Sequence, residues 1–498
     1  MSVRLTFDRL WIVIALALPA FVALVVPLPA VDLAYQVRTG DLILATGAIP
    51  SVDTYTFTVA GQPWTDQQWL AQALLALGFR AGGWELLALL RAGLVVGISG
   101  LLLAAGILRG ASVRTSSILA LLAFLLAAPA LALRPQVFAI AVFAGLIALV
   151  AGRHRYPRAF LAAPLLVVAW ANLHGSFVLA PVLLGYGLLD DVARDRPWRR
   201  SLAVLVVGTA ATLVNPFGPG AWAYAAGIGA NPVIAGRVSE WQRTLPFTVP
   251  GALFYGSAVL AGLVAWRSRR RLAWPDALFL VAMLGLGAWA VRGLAWWPAG
   301  AVLVIAGALA RSPGEAPRVG APEGGARVVR RGTPLNGVVA TLLLALVVVA
   351  LPWWRPSDPL TGRQGLLGYA PSGLAQALRK VAAPGMRVFV PQTWGAWFEW
   401  AVPDARYFVD ARFELFPEDV WTDLDAIGVG GAAAADVLAA RMVSLLVLPT
   451  GWAAPAGGWT TLYADDAGSI LARVTGLAPG GRWHVPHHVP VNRGGAPA

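Results

Sequence analysis

Arg134-Pro-Gln-Val-Phe-Ala-Ile-Ala-Val-Phe-Ala-Gly-Leu-Ile-Ala-Leu-Val-Ala-Gly-Arg153 carries no charge between its two arginines, and Arg155 and Arg158 follow at once. An apolar stretch of roughly 17 residues or more approaches the length that a helix needs to cross a bilayer's hydrocarbon core. Arginine crowded at one end is the asymmetry that orients such a helix, because cytoplasmic segments collect Lys and Arg. The stretch therefore predicts a spanning helix over 136–152, with Arg134 outside and the Arg153 group on the cytoplasmic side.

Working outward in both directions, comparable apolar runs lie near 10–30, 84–108, 115–133, 159–171, 176–189, 201–214, 251–266, 275–291, 294–310 and 335–352, giving about 11 candidate spans. The pair 159–171 and 176–189 reads either as two spans or as one re-entrant hairpin. With the N-terminus inside, 20 of the 27 arginines before residue 355 fall in cytoplasmic segments. Arg38, Arg80, Arg134, Arg237, Arg243 and Arg292 fall in the outer ones, and an odd number of spans puts the C-terminus outside. The first run reads as a retained helix rather than a signal peptide, because it is long and lacks a small-x-small cleavage pattern.

Composition agrees. Of 498 residues, 58% are hydrophobic and 13% charged, and the mean hydropathy is +0.68. Soluble domains carry about 25% charged residues, so a soluble globular chain is excluded. The formal charge of +13 sits in the apolar region, where it follows membrane sidedness, and nucleic acid is not an expected partner. There is no cysteine, hence no disulfide, thiolate metal site or thiol nucleophile. Phosphate-binding glycine loops, dinucleotide fingerprints, His-Glu-x-x-His and Gly-x-Ser-x-Gly are all missing from the sequence.

The expected organisation is a transmembrane domain over 1–354, including an outer loop at 31–83 and a cytoplasmic linker at 311–334. An extracytoplasmic α/β domain follows over 355–475, then a loose tail over 476–498. In the outer loop, 66–79 predicts a helix lying along the interface. In the α/β domain, Arg387–Pro391, Tyr407–Asp410, Ser444–Pro449, Trp459–Ala464 and Ser469–Val474 predict strands, with helices at 372–382, 418–428 and 434–443.

Polar groups at or near membrane depth are costly, so each needs a partner or a task. Asp32, directly after the first run, is placed to act as a general base or a metal ligand, or simply to cap the next helix. Asp53 reads equally as an Asx-turn residue or a ligand. Arg91 lies inside the second run with Glu85 as its nearest expected partner. Arg134 and Arg292 stand at outer helix ends, and the three arginines together suggest a site for a lipid phosphate. Trp170-Ala-Asn-Leu-His-Gly-Ser176 separates two half-length runs, so Asn172 and His174 read as residues of a broken helix lining a cavity. Asn215-Pro-Phe-Gly-Pro-Gly220 is a turn signal, and Glu240 is a second outer carboxylate. His484, His487 and His488 read as a solvated tail.

Several of these segments together resemble a known group. They are Asp32-Leu-Ala-Tyr-Gln-Val-Arg-Thr-Gly40, Gly47-Ala-Ile-Pro-Ser-Val-Asp53, Gly61-Gln-Pro-Trp64, Trp69-Leu70, Arg134-Pro-Gln136, Asn172-Leu-His-Gly175, Asn215-Pro-Phe-Gly218, Glu240-Trp241 and Phe408-Val-Asp-Ala-Arg412. They resemble a bacterial family of polytopic membrane proteins placed near the C-type (GT-C) superfamily of glycosyltransferases, over nearly the whole chain. The resemblance implies a GT-C-like fold in the cytoplasmic membrane and a polyprenyl-phosphate sugar donor. It also implies an extracytoplasmic acceptor, a divalent metal ion as the cofactor to look for, and Asp32 as catalytic base or metal ligand. Arg91, Arg134, Asn172, His174, Glu240 and Arg292 are the corresponding substrate-binding candidates. The chain departs from the family pattern at Ala30, Gln36, Gln67 and Gln68, where ionisable residues are usual. That departure keeps open a second reading, a non-catalytic scaffold or accessory subunit of an envelope assembly.

Overall fold

The computed structural model describes residues 4–310, 332–354, 366–456 and 458–473. The linker expected over 311–334, save its last three residues, and the tail with His484, His487 and His488 lie outside the described residues. The chain divides into two compact units, Met1–Leu28 with Gln67–Leu74 and Gly78–Arg355, and Pro29–Asp66 with Leu75–Leu77 and Pro356–Ala498.

The first unit is helical. Its first helix, α1, spans Phe7–Val25 and starts at Thr6, whose hydroxyl accepts from the Arg9 N–H. After α2, which belongs to the other unit, α3 runs over Trp69–Leu108 with a break at Gly83 (φ +62°), a left-handed conformation that a side chain would strain. The helix expected over 66–79 is thus the first arm of a longer one. Then come α4 (Val113–Ala127), α5 (Pro135–Gly152), α6 (Pro157–Phe160), α7 (Ala163–Leu173) and α8 (Leu179–Ala193). The series continues with α9 (Arg199–Ala211), α10 (Gly220–Ala230), α11 (Pro232–Arg237), α12 (Val249–Arg267), α13 (Trp274–Trp289), α14 (Trp297–Ala308) and α15 (Pro334–Val349). An aromatic triangle anchors α5 to its neighbours, with Phe143, Trp170 and Trp296 ring centres 5.4–5.8 Å apart.

Among the described residues, 6 helices are long and apolar enough to cross a membrane: Phe7–Val25, Trp69–Leu108, Val113–Ala130, Pro135–Gly152, Gly175–Ala193 and Val249–Arg267. Pro157–Leu173, Trp274–Trp289, Trp297–Ala308 and Pro334–Val349 are apolar but shorter. The span expected at 201–214 is the 13-residue α9, about 20 Å long and so short of the bilayer core.

The second unit contains α2 (Leu33–Thr46) and α16 (Ser372–Val381), followed by β1 (Arg387–Phe389), α17 (Gln392–Ala401) and β2 (Arg406–Tyr407). After these come α18 (Glu418–Val429), α19 (Gly431–Ala440), β3 (Leu445–Pro449), β4 (Trp459–Ala464) and β5 (Gly468–Arg473). The sheet order is β2-β1-β3-β5-β4, parallel across β2-β1-β3 and antiparallel across β3-β5-β4. Four of the five expected strands and the three expected helices are present there with shifted ends; the strand expected over Tyr407–Asp410 is the two-residue β2 at Arg406–Tyr407, and α17 is added.

The sequence reading put residues 31–66 with the membrane helices, whereas the structure folds them with the C-terminal domain. α2 packs on α17, and Arg38 donates to the carbonyls of Glu399 (2.5 Å) and Pro403 (3.1 Å). Thr56 bridges to Tyr407 in parallel, and Thr58 donates to the Phe408 carbonyl at 2.5 Å. These contacts close loops of more than three hundred residues, and no local pattern signals them.

Candidate functional site

In the first unit α7 stops at Leu173, and His174 adopts an extended backbone (φ −167°) before a short 3-10 turn, Gly175–Val178, leads into α8. This is the broken helix that the Asn-Leu-His-Gly motif predicts. Trp170 Nε1 donates to Ser176 Oγ (3.0 Å), and the Ser176 backbone N–H points at His174 Nδ1 (3.1 Å). Ser176 Oγ also lies 2.8 Å from Nδ1. Nε2 lies 3.2 Å from Arg292 Nη2.

Arg292 occupies the 3-10 turn Val291–Ala295 between α13 and α14. Gly293 makes that turn possible, because a Cβ there would run into the backbone of Leu286 and Gly287. The Arg292 guanidinium stacks 5.5 Å above Trp241 and places Nη1 3.4 Å from Glu240 Oε2. Arg134, the extended residue that opens α5, meets the same carboxylate from the other side, with Nη2–Oε1 at 2.5 Å and Nη1–Oε2 at 3.3 Å. Glu240 rides on the 3-10 turn Ser239–Trp241, tied to the end of α13 through Val291 N–H to Gln242 O (3.0 Å) and Thr244 Oγ1 to Gly287 O (2.6 Å). Burial pushes the Glu240 carboxyl up, but Arg134 and Arg292 outweigh it and hold it below its ordinary value. Arg134, Arg292 and Glu240 keep 21%, 24% and 31% of their side chains exposed, so a ligand can reach them.

Two candidates stand apart from this cluster. Asn172 donates to the carbonyls of Val168 (2.8 Å) and Val214 (2.9 Å) and accepts from Trp69 Nε1 (3.0 Å), so it clamps helix ends. Arg91 donates to Pro27 O (2.7 Å) and to the carbonyls of Ala23 and Val26, at the end of α1. The last carbonyls of a helix lack intrahelical partners, which explains the cation there. Arg91 thus caps α1, and of the three arginines expected together the structure brings only Arg134 and Arg292 to one carboxylate. Gln67, one of the neutral departures, donates to Ala171 O (2.8 Å) at the same helix break. An apolar groove of about 480 Å³, lined by Val206, Thr212, Leu213 and Trp222 among others, abuts this region through the Phe177–Trp222 contact at 5.4 Å.

Sequence reasoning missed a second cluster in this unit. Asp190 meets Arg153 (2.6 Å), Arg194 (2.6 Å) and Arg109 (3.4 Å), while Asp191 meets Arg153 (2.6 Å) and accepts from Ser201 at 2.5 Å. Asp276 meets Arg194 (2.6 Å) and Arg109 (3.2 Å) and accepts from Tyr186 (2.7 Å). The signal for it was the Asp190-Asp191 pair at the end of an apolar run, four residues before Arg194.

Asp32 belongs to the second unit. It precedes α2 but its side chain makes no capping hydrogen bond there, so the capping alternative is not the one observed. It is half-buried, and its charge helps burial push the Tyr35 and Tyr369 phenols up. Gln36 in turn donates to the Tyr35 hydroxyl at 2.8 Å. Asp53 adopts the Asx-turn role and adds an ion pair. Its carboxylate accepts from Tyr55 N–H (3.3 Å) and Thr56 Oγ1 (2.7 Å) as a turn residue, and pairs with Arg412 Nη2 at 2.5 Å. Arg412 also pairs with Asp410 and is caged by Trp64, Tyr55 and Tyr35 at 4.5, 4.9 and 5.9 Å. Among the described residues no three His, Asp or Glu side chains gather as metal ligands would, so these residues do not fit the divalent ion that the resemblance implies.

A bundle of apolar helices joined to a small mixed α/β domain, with an ionic cluster at a helix break, defines a polytopic membrane protein. The fold is similar to that of the Archaeoglobus fulgidus oligosaccharyltransferase. Its crystal structure tethered with an acceptor peptide containing the NVT sequon aligns at a TM-score of 0.52 and 13% identity, over 89% of this chain and 69% of that one. Its apo form aligns at 0.50 and 12% identity over the same shares. At such identity the likeness is one of fold, and it supports the expected GT-C-like architecture. Neither a scan of protein-family models nor a search of curated proteins found a match.

Proposed function

We propose that this protein is a membrane glycosyltransferase that moves a sugar from a polyprenyl-phosphate donor to an extracytoplasmic acceptor. The observation that carries the proposal is the Arg134–Glu240–Arg292–His174 cluster at a helix break on an oligosaccharyltransferase-like fold. Transfer breaks the bond between the anomeric carbon and the phosphate oxygen, so negative charge grows on the departing polyprenyl phosphate. Arginine forks directed at that oxygen stabilise the charge more in the transition state than in the ground state. The apolar groove beside the same break suits a prenyl chain. Asp32 is the proposed general base that takes the acceptor's proton. Sidedness follows the arginine count, with the N-terminus inside and the C-terminus outside. Accordingly Ser372→Cys should be labelled from outside, and Ser312→Cys from inside.

The deciding experiment is sugar transfer by purified protein from a panel of polyprenyl-phosphate sugars. Asp32→Asn should abolish transfer while the protein remains folded, and Arg134→Gln and Arg292→Gln should each raise KM for the donor. A wild-type protein inert toward the panel, yet held in a stable complex that survives Asp32→Asn, would support the scaffold reading instead.

A further inference from the structure

We infer, on the footing of the anion site proposed above, that Glu240 is a built-in competitor for that site: its carboxylate occupies the arginine donors in the ligand-free protein and must leave when a phosphate binds. Arg134 gives both terminal nitrogens to the two Glu240 oxygens, at 2.5 and 3.3 Å, and Arg292 gives Nη1 at 3.4 Å. Three of the four terminal nitrogens of the two arginines therefore already face a carboxylate, which copies two oxygens of a phosphate. The fourth, Arg292 Nη2, faces His174 Nε2 at 3.2 Å. The carboxylate and a bound phosphate would thus call on the same arginine nitrogens.

The carboxylate is also placed to move. It sits on a three-residue 3-10 turn between the short α11 and the loop that leads to α12, and is 31% exposed. Rotating it out toward water costs little, whereas Arg134 opens α5 and Arg292 is fixed by the Gly293 turn. A neutral side chain at 240 would remove the carboxylate that competes for the arginines and raise affinity for any phosphate, at the cost of a less selective site.

The test is isothermal titration of the full chain, in nanodiscs, with inorganic pyrophosphate, on protein whose thermal unfolding matches wild type. Glu240→Gln, and Glu240→Ala as a second variant, should tighten binding about fivefold, while Arg134→Gln and Arg292→Gln should weaken it about tenfold or more. Binding that appears only once Glu240 is neutralised would equally support the competitor role. If both Glu240 variants bind as wild type or more weakly while the arginine variants still lose affinity, the competitor role is overturned and the anion site stands. If the arginine variants lose nothing, or if no form binds, both readings fall.

Discussion

The two ionic clusters of the helical unit use the same residue types at opposite ends of the same helices. Arg134 opens α5 and Arg153 closes it, with the 18 residues of the helix, about 27 Å, between them. His174 precedes α8, and Asp190 and Asp191 lie in its last turn; Asp276 lies in the first turn of α13, and Arg292 follows its end. Among the described residues one cluster sets three arginines against three aspartates, with His154 added 2.8 Å from Asp191, and the carboxylates are fully buried (0% for Asp190, Asp191 and Asp276). The other sets two arginines and the buried His174 against one glutamate among the described residues, and its arginine and glutamate side chains stay a fifth to a third exposed. Balance and burial suit a permanent joint between helices. Surplus positive charge and exposure suit an exchangeable anion.

That contrast predicts a ranked set of effects. The largest belongs to the buried cluster: Asp190→Asn leaves Arg153, Arg194 and Arg109 short of a carboxylate at depth. It should cost about 3–5 kcal/mol in unfolding measured in bicelles. A stability equal to wild type would show that this cluster is not a joint.

Next comes Arg91→Gln, which uncaps the last carbonyls of α1 and should cost about 1–3 kcal/mol. Amide exchange should rise over Ala23–Val26; exchange unchanged there would refute the capping role.

A third effect concerns the second unit. Burial, reinforced by Asp410, pushes the Glu399 carboxyl well above its ordinary range, although Arg412 opposes the rise. The folded state therefore holds a proton that the unfolded chain has lost above the ordinary carboxylate pKa. Stability falls as pH rises from that ordinary pKa through the raised one. Glu399→Gln, neutral throughout, should flatten this slope and raise Tm near pH 8 by about 2–4 °C. An unchanged pH profile would contradict it.

The smallest effect on stability belongs to the open cluster, where Arg134→Gln or Arg292→Gln should cost no more than about 1 kcal/mol. A cost as large as that of Asp190→Asn would erase the distinction between the two clusters.

The legible part of this molecule was whatever local pattern encodes. Apolar length encodes the helices, short runs rich in β-branched, aromatic or continuous apolar residues encode β1, β3, β4 and β5, and Asn172-Leu-His-Gly175 encodes the break. Arg134, Arg292 and Glu240 stood out as charges beside outer ends of apolar runs. What stayed hidden depended on partners distant in sequence. Arg109, Arg153 and Arg194 look like any other positive charges at a helix end, and only the three-dimensional arrival of Asp190, Asp191 and Asp276 turns them into a buried joint. Arg91 and Asn172 read as ligand-binding groups because their composition cannot reveal that backbone carbonyls satisfy them. The union of residues 29–66 with the C-terminal domain rests on the pair Asp53–Arg412, 359 residues apart. α17 was missed because Trp394, Trp397, Phe398 and Trp400 favour strands as much as helices when read singly.

Retention of a polyprenyl phosphate in native mass spectrometry, compared between wild type and the Arg134→Gln/Arg292→Gln double variant at matched thermal stability, tests the account most directly. Wild type should keep the lipid, and the double variant should lose it about tenfold or more. Equal retention by the two proteins would contradict the claim that the open cluster binds the lipid's phosphate.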